Sequence, residues 1–405
     1  MPFWKRRKHK KRKVKYEYKD GKVMKGIPID DELSSLLEEE SERFKERYGR
    51  EHAPNDFLLP FAPIYNDEVI LQTVYLFRKL EFPENKIYAY YMSDGLFPCD
   101  QNLDVLSDSD LEEFSNLCSE YDELMNAPLG KNVNIIQFVS FANTFLKTQL
   151  DSINILLIET LNDFIHRHCG MNVIYDYQIK NEKDYLIFSA LKTIKTLNSV
   201  ARLMENHFTE CMYALGRGIF ENYIYLCNIN ADSDLFSEKL LPKVDEDNFT
   251  FARTDDGKIN YNRVINKNTG EKQTVKVIIS QLADHLPYEE DQSLYDIFYK
   301  TACQYIHVDV MSAKSYFSVT NPYNEIDPSL IAGLIISTLA FMTVSQISKN
   351  RNVQEQYKSD VRFLCEKNIV HKLIESLEVA NSDPEHKNAI LDLLKNRLNT
   401  EFLQK

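Results

Sequence analysis

Apolar residues recur at three- and four-residue spacing through most of this chain, and that period predicts helices. A clear stripe is Leu186, Leu191, Ile194, Leu197 and Val200, the buried face of a helix over 184–206. Similar patterns predict helices from Asp30 to Gly49, from Asn66 to Pro83, and from a Ser109–Glu112 capping box to about Asn126. Residues 135–168 read as one long helix or two joined, closed at Gly170. The stretch 208–229 follows 184–206, continuous with it or kinked near Asn206 and His207. Further helices are expected at 291–317, 327–348, 352–366, 368–379 and 384–402. The pattern breaks twice. Ile87–Tyr91 alternates and leads into Asp94-Gly95, which predicts a short strand or loop. Residues 249–279 set β-branched and aromatic residues around Asp256-Gly257 and Thr269-Gly270, which predicts a β-hairpin or three short strands.

The expected fold class is therefore mainly all-α: a helical bundle with an inserted β-hairpin at about 249–279 and an N-terminal helical extension. Apolar density rises after Pro128-Leu-Gly130, which places a boundary there. Three parts follow: a basic disordered tail over 1–29, an acidic helical region over 30–130, and a bundle domain with the hairpin insertion over 131–405. Only 11 glycines and 13 prolines argue against a turn-rich β protein.

Charge divides the chain unevenly. Residues 1–16 hold nine Lys or Arg and no acid, so a total of −13 leaves −22 on the rest. A body that acidic is a poor general binder of nucleic acid. The tail is the exception: Lys5, Arg6, Arg7, Lys8, Lys10, Lys11, Arg12, Lys13 and Lys15, with Phe3 and Trp4, form either a solvated tail or an arm for nucleic acid or an anionic surface. Pro2 and the lysines do not fit a cleavable signal peptide. The seven cysteines are scattered without a CxxC, which fits reduced thiols and a cytoplasmic location. The longest apolar run, Leu330–Val344, has 15 residues. A spanning helix needs about 20, so this run reads as a core helix, with no transmembrane segment expected.

The chemistry concentrates in Cys211–Ile229. Its 19 residues hold two charges, Arg217 and Glu221, four apart and so able to pair on one helix face. An ion pair among apolar neighbours reads as a fold-specifying bridge or the floor of a pocket. Gly216 and Gly218 flank the arginine, where a helix or a ligand approaches the backbone. In 291–317, His307 shares a helix face with Lys300, Cys303, Gln304 and Lys314. Cations around a histidine favour its neutral, proton-accepting form. Arg217 as an anion clamp, Glu221 as its orienting carboxylate and His307 as base make a candidate catalytic set, with Tyr299 and Lys300 assisting. The bland alternative is a buried histidine satisfied by Glu221 or a carbonyl. Neither a metal nor a cofactor is expected: His166, His168 and Cys169 splay apart on a helix. No Walker loop, GxGxxG, HExxH or GxSxG occurs.

GRGIFENYIYL, followed by YKTACQYIHVD, resembles a bacterial all-helical family known only as domain of unknown function fifty-six seventy-seven. Its members carry an Arg-x-x-x-Glu helix and a later Tyr…His helix, and the resemblance covers about 180–345. IYAYYMSDGLFPCDQNLDVLSDSDLEEF is similar to segments upstream of such domains. That family supplies a fold more than an activity. More distantly, the helical body with Arg, Glu and His resembles the HEPN ribonucleases of toxin–antitoxin and antiphage systems. This resemblance implies metal-independent cleavage of RNA, an RNA or other nucleic-acid partner, and a homodimer. Those enzymes place Arg and His four to six residues apart on one helix, whereas no arginine lies in Leu294–His307 here. Arg217 would have to supply the guanidinium from the neighbouring helix. The competing expectation is a non-enzymatic binding or scaffold module with a basic nucleic-acid-binding tail.

Overall fold

The computed structural model describes residues 15–19, 22–26, 42, 45, 66–98, 106–128, 134–169, 178–306, 311, 320–364, 368–382 and 387–403. The described chain is mainly α-helical with small antiparallel sheets. It divides into two compact units, Met1–Gly130 and Lys131–Lys405.

In the first unit, β1 (Lys15–Lys19) pairs antiparallel with β2 (Lys22–Gly26). This corrects the expectation of disorder across 1–29 for these strands. Tyr16 and Tyr18 alternate with charged residues, which fits the two-residue strand period. The helix expected over Asp30–Gly49 lies outside the described residues, apart from helical Glu42 and Lys45. Next come α1 (Asn66–Lys79), α2 (Glu84–Met92) and α3 (Asp108–Asn126). Helix α2 overturns the strand or loop expected at Ile87–Tyr91. Ile87, Tyr88, Ala89 and Tyr90 are buried in succession, and a short apolar run does not reveal its own period. Phe77 joins Tyr90, Phe82 and Phe97 in an aromatic cluster. The N-cap of α3 is Ser107 rather than Ser109. Its hydroxyl accepts from Asp110 N, and the Asp110 carboxylate accepts from Ser107 N at 2.9 Å. Aspartate performs here the reciprocal role usually given to Glu or Gln.

The second unit is built around one apolar helix. Helices α4 (Ile135–Cys169), α5 (Glu182–Met204) and α6 (Thr209–Ala231) come first. Strands β3 (Phe249–Arg253), β4 (Ile259–Asn266) and β5 (Lys272–Thr274) follow as an antiparallel meander. Gly257 and Gly270 take positive φ at its two turns. Then come α7 (Ile279–Ala283), α8 (Glu289–Leu294), a π-helical turn Tyr295–Tyr299, and α9 (Lys300–Ile306). Helices α10 (Pro328–Lys349), α11 (Glu355–Leu364), α12 (Val370–Ala380) and α13 (Ala389–Leu398) complete the order, with a π turn at Asn399–Leu403.

Helix α10 packs most extensively on α6 and also on α4 and α5. It is long and apolar enough to cross a bilayer by length and composition, yet 94% of its most apolar window is buried inside the protein. A helix apolar on every side needs neighbours on every side. Its polar groups are answered within the bundle: Thr338 donates to Leu334 O at 2.8 Å and Ser337 to Asn154 Oδ1 at 2.7 Å.

Helices α5 and α6 are separate rather than continuous. The break falls at His207, whose φ of 56° suspends the helix. His207 Nδ1 meets Asp327 Oδ2 at 2.8 Å, and Asp327 caps α10 by accepting from Ser329 N at 2.8 Å. The same aspartate thus joins the kink to the start of the central helix, which orients α6 against α10.

Candidate functional site

Helix α6 carries Arg217 and Glu221 one turn apart. Arg217 Nη2 lies 2.7 Å from Glu221 Oε1, the pair that their spacing predicts. Tyr299 reaches them from the end of the π turn. Its hydroxyl donates to Glu221 Oε1 at 2.6 Å and accepts from Arg217 Nη2 at 3.2 Å. The guanidinium carbon stands 5.3 Å from the Tyr299 ring centroid, and the ring stacks on Tyr295 at 5.0 Å. The carboxylate is therefore held by a cation and a phenol at once.

The cluster is not sealed. The Arg217 and Glu221 side chains keep 25% and 23% of their exposure. Arg217 Nε is buried without a partner. Burial pushes the Tyr299 hydroxyl well above its ordinary range, and donation to Glu221 pushes it further. It therefore remains protonated and serves as a donor, not a base. For Arg217, burial alone would favour loss of charge, but the Tyr299 hydrogen bond and the Glu221 charge outweigh it and raise its pKa.

The two glycines have different tasks. A Cβ on Gly216 would stand 2.9 Å from Ile336 Cγ1 and 3.1 Å from Phe298 Cζ, so its absence lets α10 and the π turn close on α6. A Cβ on Gly218 would meet only Lys192, with Cε at 3.9 Å and Nζ at 4.0 Å. Lys192 on α5 was not singled out from the sequence. Burial lowers its pKa; the charge of Glu221 opposes this and that of Arg217 adds to it. It lies among a chain-wide excess of polar helix faces, so only the packing of α5 on α6 reveals it.

The other residues expected at this site are placed differently. Lys300 is exposed, bonded to Asp296 at 2.5 Å and lying over the Tyr295 ring. None of these contacts is with Arg217, Glu221 or Tyr299. His307 lies outside the described residues, as do Lys5, Arg6, Arg7, Lys8, Lys10, Lys11, Arg12 and Lys13. Lys15 is on β1. His168, weighed for metal binding, meets the Phe164 carbonyl through Nδ1 at 2.7 Å and packs on that ring at 4.3 Å. Burial lowers its pKa. Among the described residues, no three His, Cys, Asp or Glu side chains are grouped to hold a metal ion.

A second polar cluster, unforeseen from the sequence, is sealed in the bundle. Arg397 Nε donates to Asp291 Oδ1 at 2.7 Å, and both side chains are fully buried. The Tyr223 hydroxyl donates to Asp291 Oδ2 at 2.6 Å and accepts from Arg397 Nη2 at 3.1 Å. Glu401 pairs with Arg397 at 2.6 Å and with Lys349, and accepts from Ser345 at 3.0 Å. The guanidinium also lies 3.5 Å above Tyr288. These groups tie α13 and its π turn to α8 and α10, with Arg397 Nη1 buried and without a hydrogen-bond partner. A network centred on a fully buried ion pair specifies packing; of the two clusters, the partly exposed one around Arg217 is the one that a solute can reach.

No family model, curated protein or solved structure matches this chain. Fold and site define a mainly α-helical protein with a solvent-reached Arg–Glu–Tyr cluster between α6 and the π turn that ends at Tyr299.

Proposed function

We propose that this chain is a HEPN-like, metal-independent ribonuclease acting as a toxin-type effector, with antiphage defence as its setting. The observation carrying this reading is the partial exposure of Arg217, held in place by Glu221 and backed by Tyr299. A guanidinium fixed in this way, with an edge toward solvent, suits a phosphate whose negative charge grows during reaction. In the proposed reaction, His307 takes the proton from an RNA 2′-hydroxyl. The 2′ oxygen bonds to phosphorus, the bond from phosphorus to the 5′ oxygen breaks, and the proton taken up by His307 is returned to that leaving oxygen, directly or through water. A 2′,3′-cyclic phosphate and a 5′-hydroxyl result. Tyr299 keeps Glu221 in place.

One observation favours a second reading. Glu221 already receives both of its partners from the chain itself. A carboxylate satisfied internally also suits a fold-specifying bridge in a non-enzymatic binding or scaffold module, with the tail making the contacts.

Expression separates the two. Wild type should arrest growth and cleave RNA in the presence of a chelator, leaving cyclic phosphate ends, while His307→Ala and Arg217→Ala should do neither. Equal behaviour of wild type and a folded His307→Ala protein would favour the scaffold. Deleting residues 1–13 reports on the tail separately: if it grips nucleic acid, binding and its salt dependence should both fall.

A further inference from the structure

We propose that Lys192 and Arg217 together seat a single phosphodiester anion in the notch above Gly218, with Lys192 as the second cation of the site. The inference rests on the ribonuclease reading and narrows what the cluster holds.

Lys192 is half-buried, and its ammonium has no hydrogen bond or ion pair among the described residues. A cation that loses water without gaining a partner is costly, and proteins usually compensate one. The sealed cluster shows that compensation: Arg397 has Asp291 and Glu401, and Lys349 has Glu401. Lys192 has no such carboxylate in contact. Its Nζ instead lies 4.0 Å from where a Gly218 Cβ would stand, one residue beyond Arg217. The missing side chain leaves room above the helix backbone beside the ammonium. Arg217, the residue before Gly218 on α6, uses Nη2 for both Glu221 and Tyr299, and its Nη1 is neither bonded nor sealed from solvent. Lys192 thus stands over the residue next to Arg217, close enough for the charges of Arg217 and Glu221 to act on it.

Charge selects the ligand. Lys192 and Arg217 set against Glu221 leave one net positive charge, which matches the single negative charge of a phosphodiester. A terminal phosphate dianion would remain half uncompensated beside Glu221. Burial lowers the Lys192 pKa, so a bound anion would also favour its charged form. An internal backbone phosphate of RNA is the group that fits.

The test uses the full chain and a fluorescein-labelled 2′-O-methyl oligoribonucleotide, which has diester phosphates but cannot be cleaved through a 2′-hydroxyl. Lys192→Ala should weaken binding about tenfold, the loss expected for one charge-assisted hydrogen bond. The slope of log affinity against log salt should become shallower by about 0.7, as for one phosphate contact on a single strand. Lys192→Arg should restore most of both, and the oligonucleotide should protect Lys192 from acetylation mapped by mass spectrometry. The basic tail is common to all variants, so differences between them report Lys192. Unchanged affinity and slope in Lys192→Ala, equal acetylation with and without saturating oligonucleotide, or no binding by wild type would each overturn the seat. Cleavage of unmodified RNA distinguishes the two readings. Lys192-dependent binding without cleavage would sink the ribonuclease and keep the seat, and cleavage with Lys192-independent binding would do the reverse.

Discussion

The hydroxyl of Tyr299 donates to Oε1 of Glu221 at 2.6 Å, and the same oxygen lies 2.7 Å from Arg217. One carboxylate oxygen therefore joins α6 to the π turn that ends at Tyr299. A π turn carries an extra residue and shifts the register of everything after it. Tyr299 is buried against α6, and Lys300, the next residue, is exposed beside Asp296.

Removing that hydroxyl tests the junction. Tyr299→Phe keeps the ring and its stack on Tyr295 but leaves Glu221 with Arg217 alone. Urea unfolding should show a loss of about 1.5–3 kcal/mol, the range for a hydrogen bond to a charged group. An unchanged midpoint and slope would mean that the bond contributes nothing to stability.

Gly216 and Gly218 should respond oppositely to the same substitution. Gly216→Ala forces a Cβ to 2.9 Å from Ile336 and 3.1 Å from Phe298, both in the core. Overpacking of this kind costs about 1–3 kcal/mol. Gly218→Ala meets Lys192 at ordinary contact distance, so the gain in helix propensity, up to about 1 kcal/mol, should dominate. Thermal melts of the two variants should move in opposite directions.

Arg397→Ala should be among the most damaging single changes. It strips Asp291 and Glu401 of a fully buried partner, and breaking a buried pair from one side costs about 3–5 kcal/mol. Lys349→Ala should cost far less, because Lys349 is 44% exposed and Glu401 keeps Arg397. Comparable losses in denaturant unfolding would contradict the inequality.

Asp291 makes stability depend on pH with an unusual sign. Burial pushes its carboxyl up to about 6 from 3.8, against the downward pull of Arg397 and Tyr223. A group whose folded pKa is raised adds stability that is complete below its unfolded pKa and is lost as pH rises through the folded one. The unfolding free energy of wild type minus that of Asp291→Asn should therefore decline from about pH 4 to pH 6–7. An increase across that window would show that Arg397 outweighs burial and holds the carboxyl below its ordinary range.

Much of the architecture is legible in the residues. The stripe from Leu186 to Val200 belongs to α5, and the Gly257 and Gly270 turns divide the inserted strands. The apolar run at Leu330–Val344 lies inside α10. Ile87–Tyr91 misleads because its residues are buried in succession, so alternation carries no information there. The Ser107 cap is missed because Asp110 does the work expected of a glutamate.

Local chemistry sufficed for the Arg217–Glu221 pair, since four residues on a helix bring two side chains together whatever surrounds them. The glycines beside it pointed to a close approach without naming what approaches. Only tertiary packing decided that Ile336 and Phe298 press on Gly216, that Lys192 stands over Gly218, and that Arg397 meets Asp291 across 106 residues of sequence. Period and propensity describe one helix at a time. Which faces of two helices meet, and in what register, depends on side chains interlocking in three dimensions. In this protein a π turn adds a register shift that no heptad or 3.6-residue pattern encodes, and it carries Tyr299 onto Glu221.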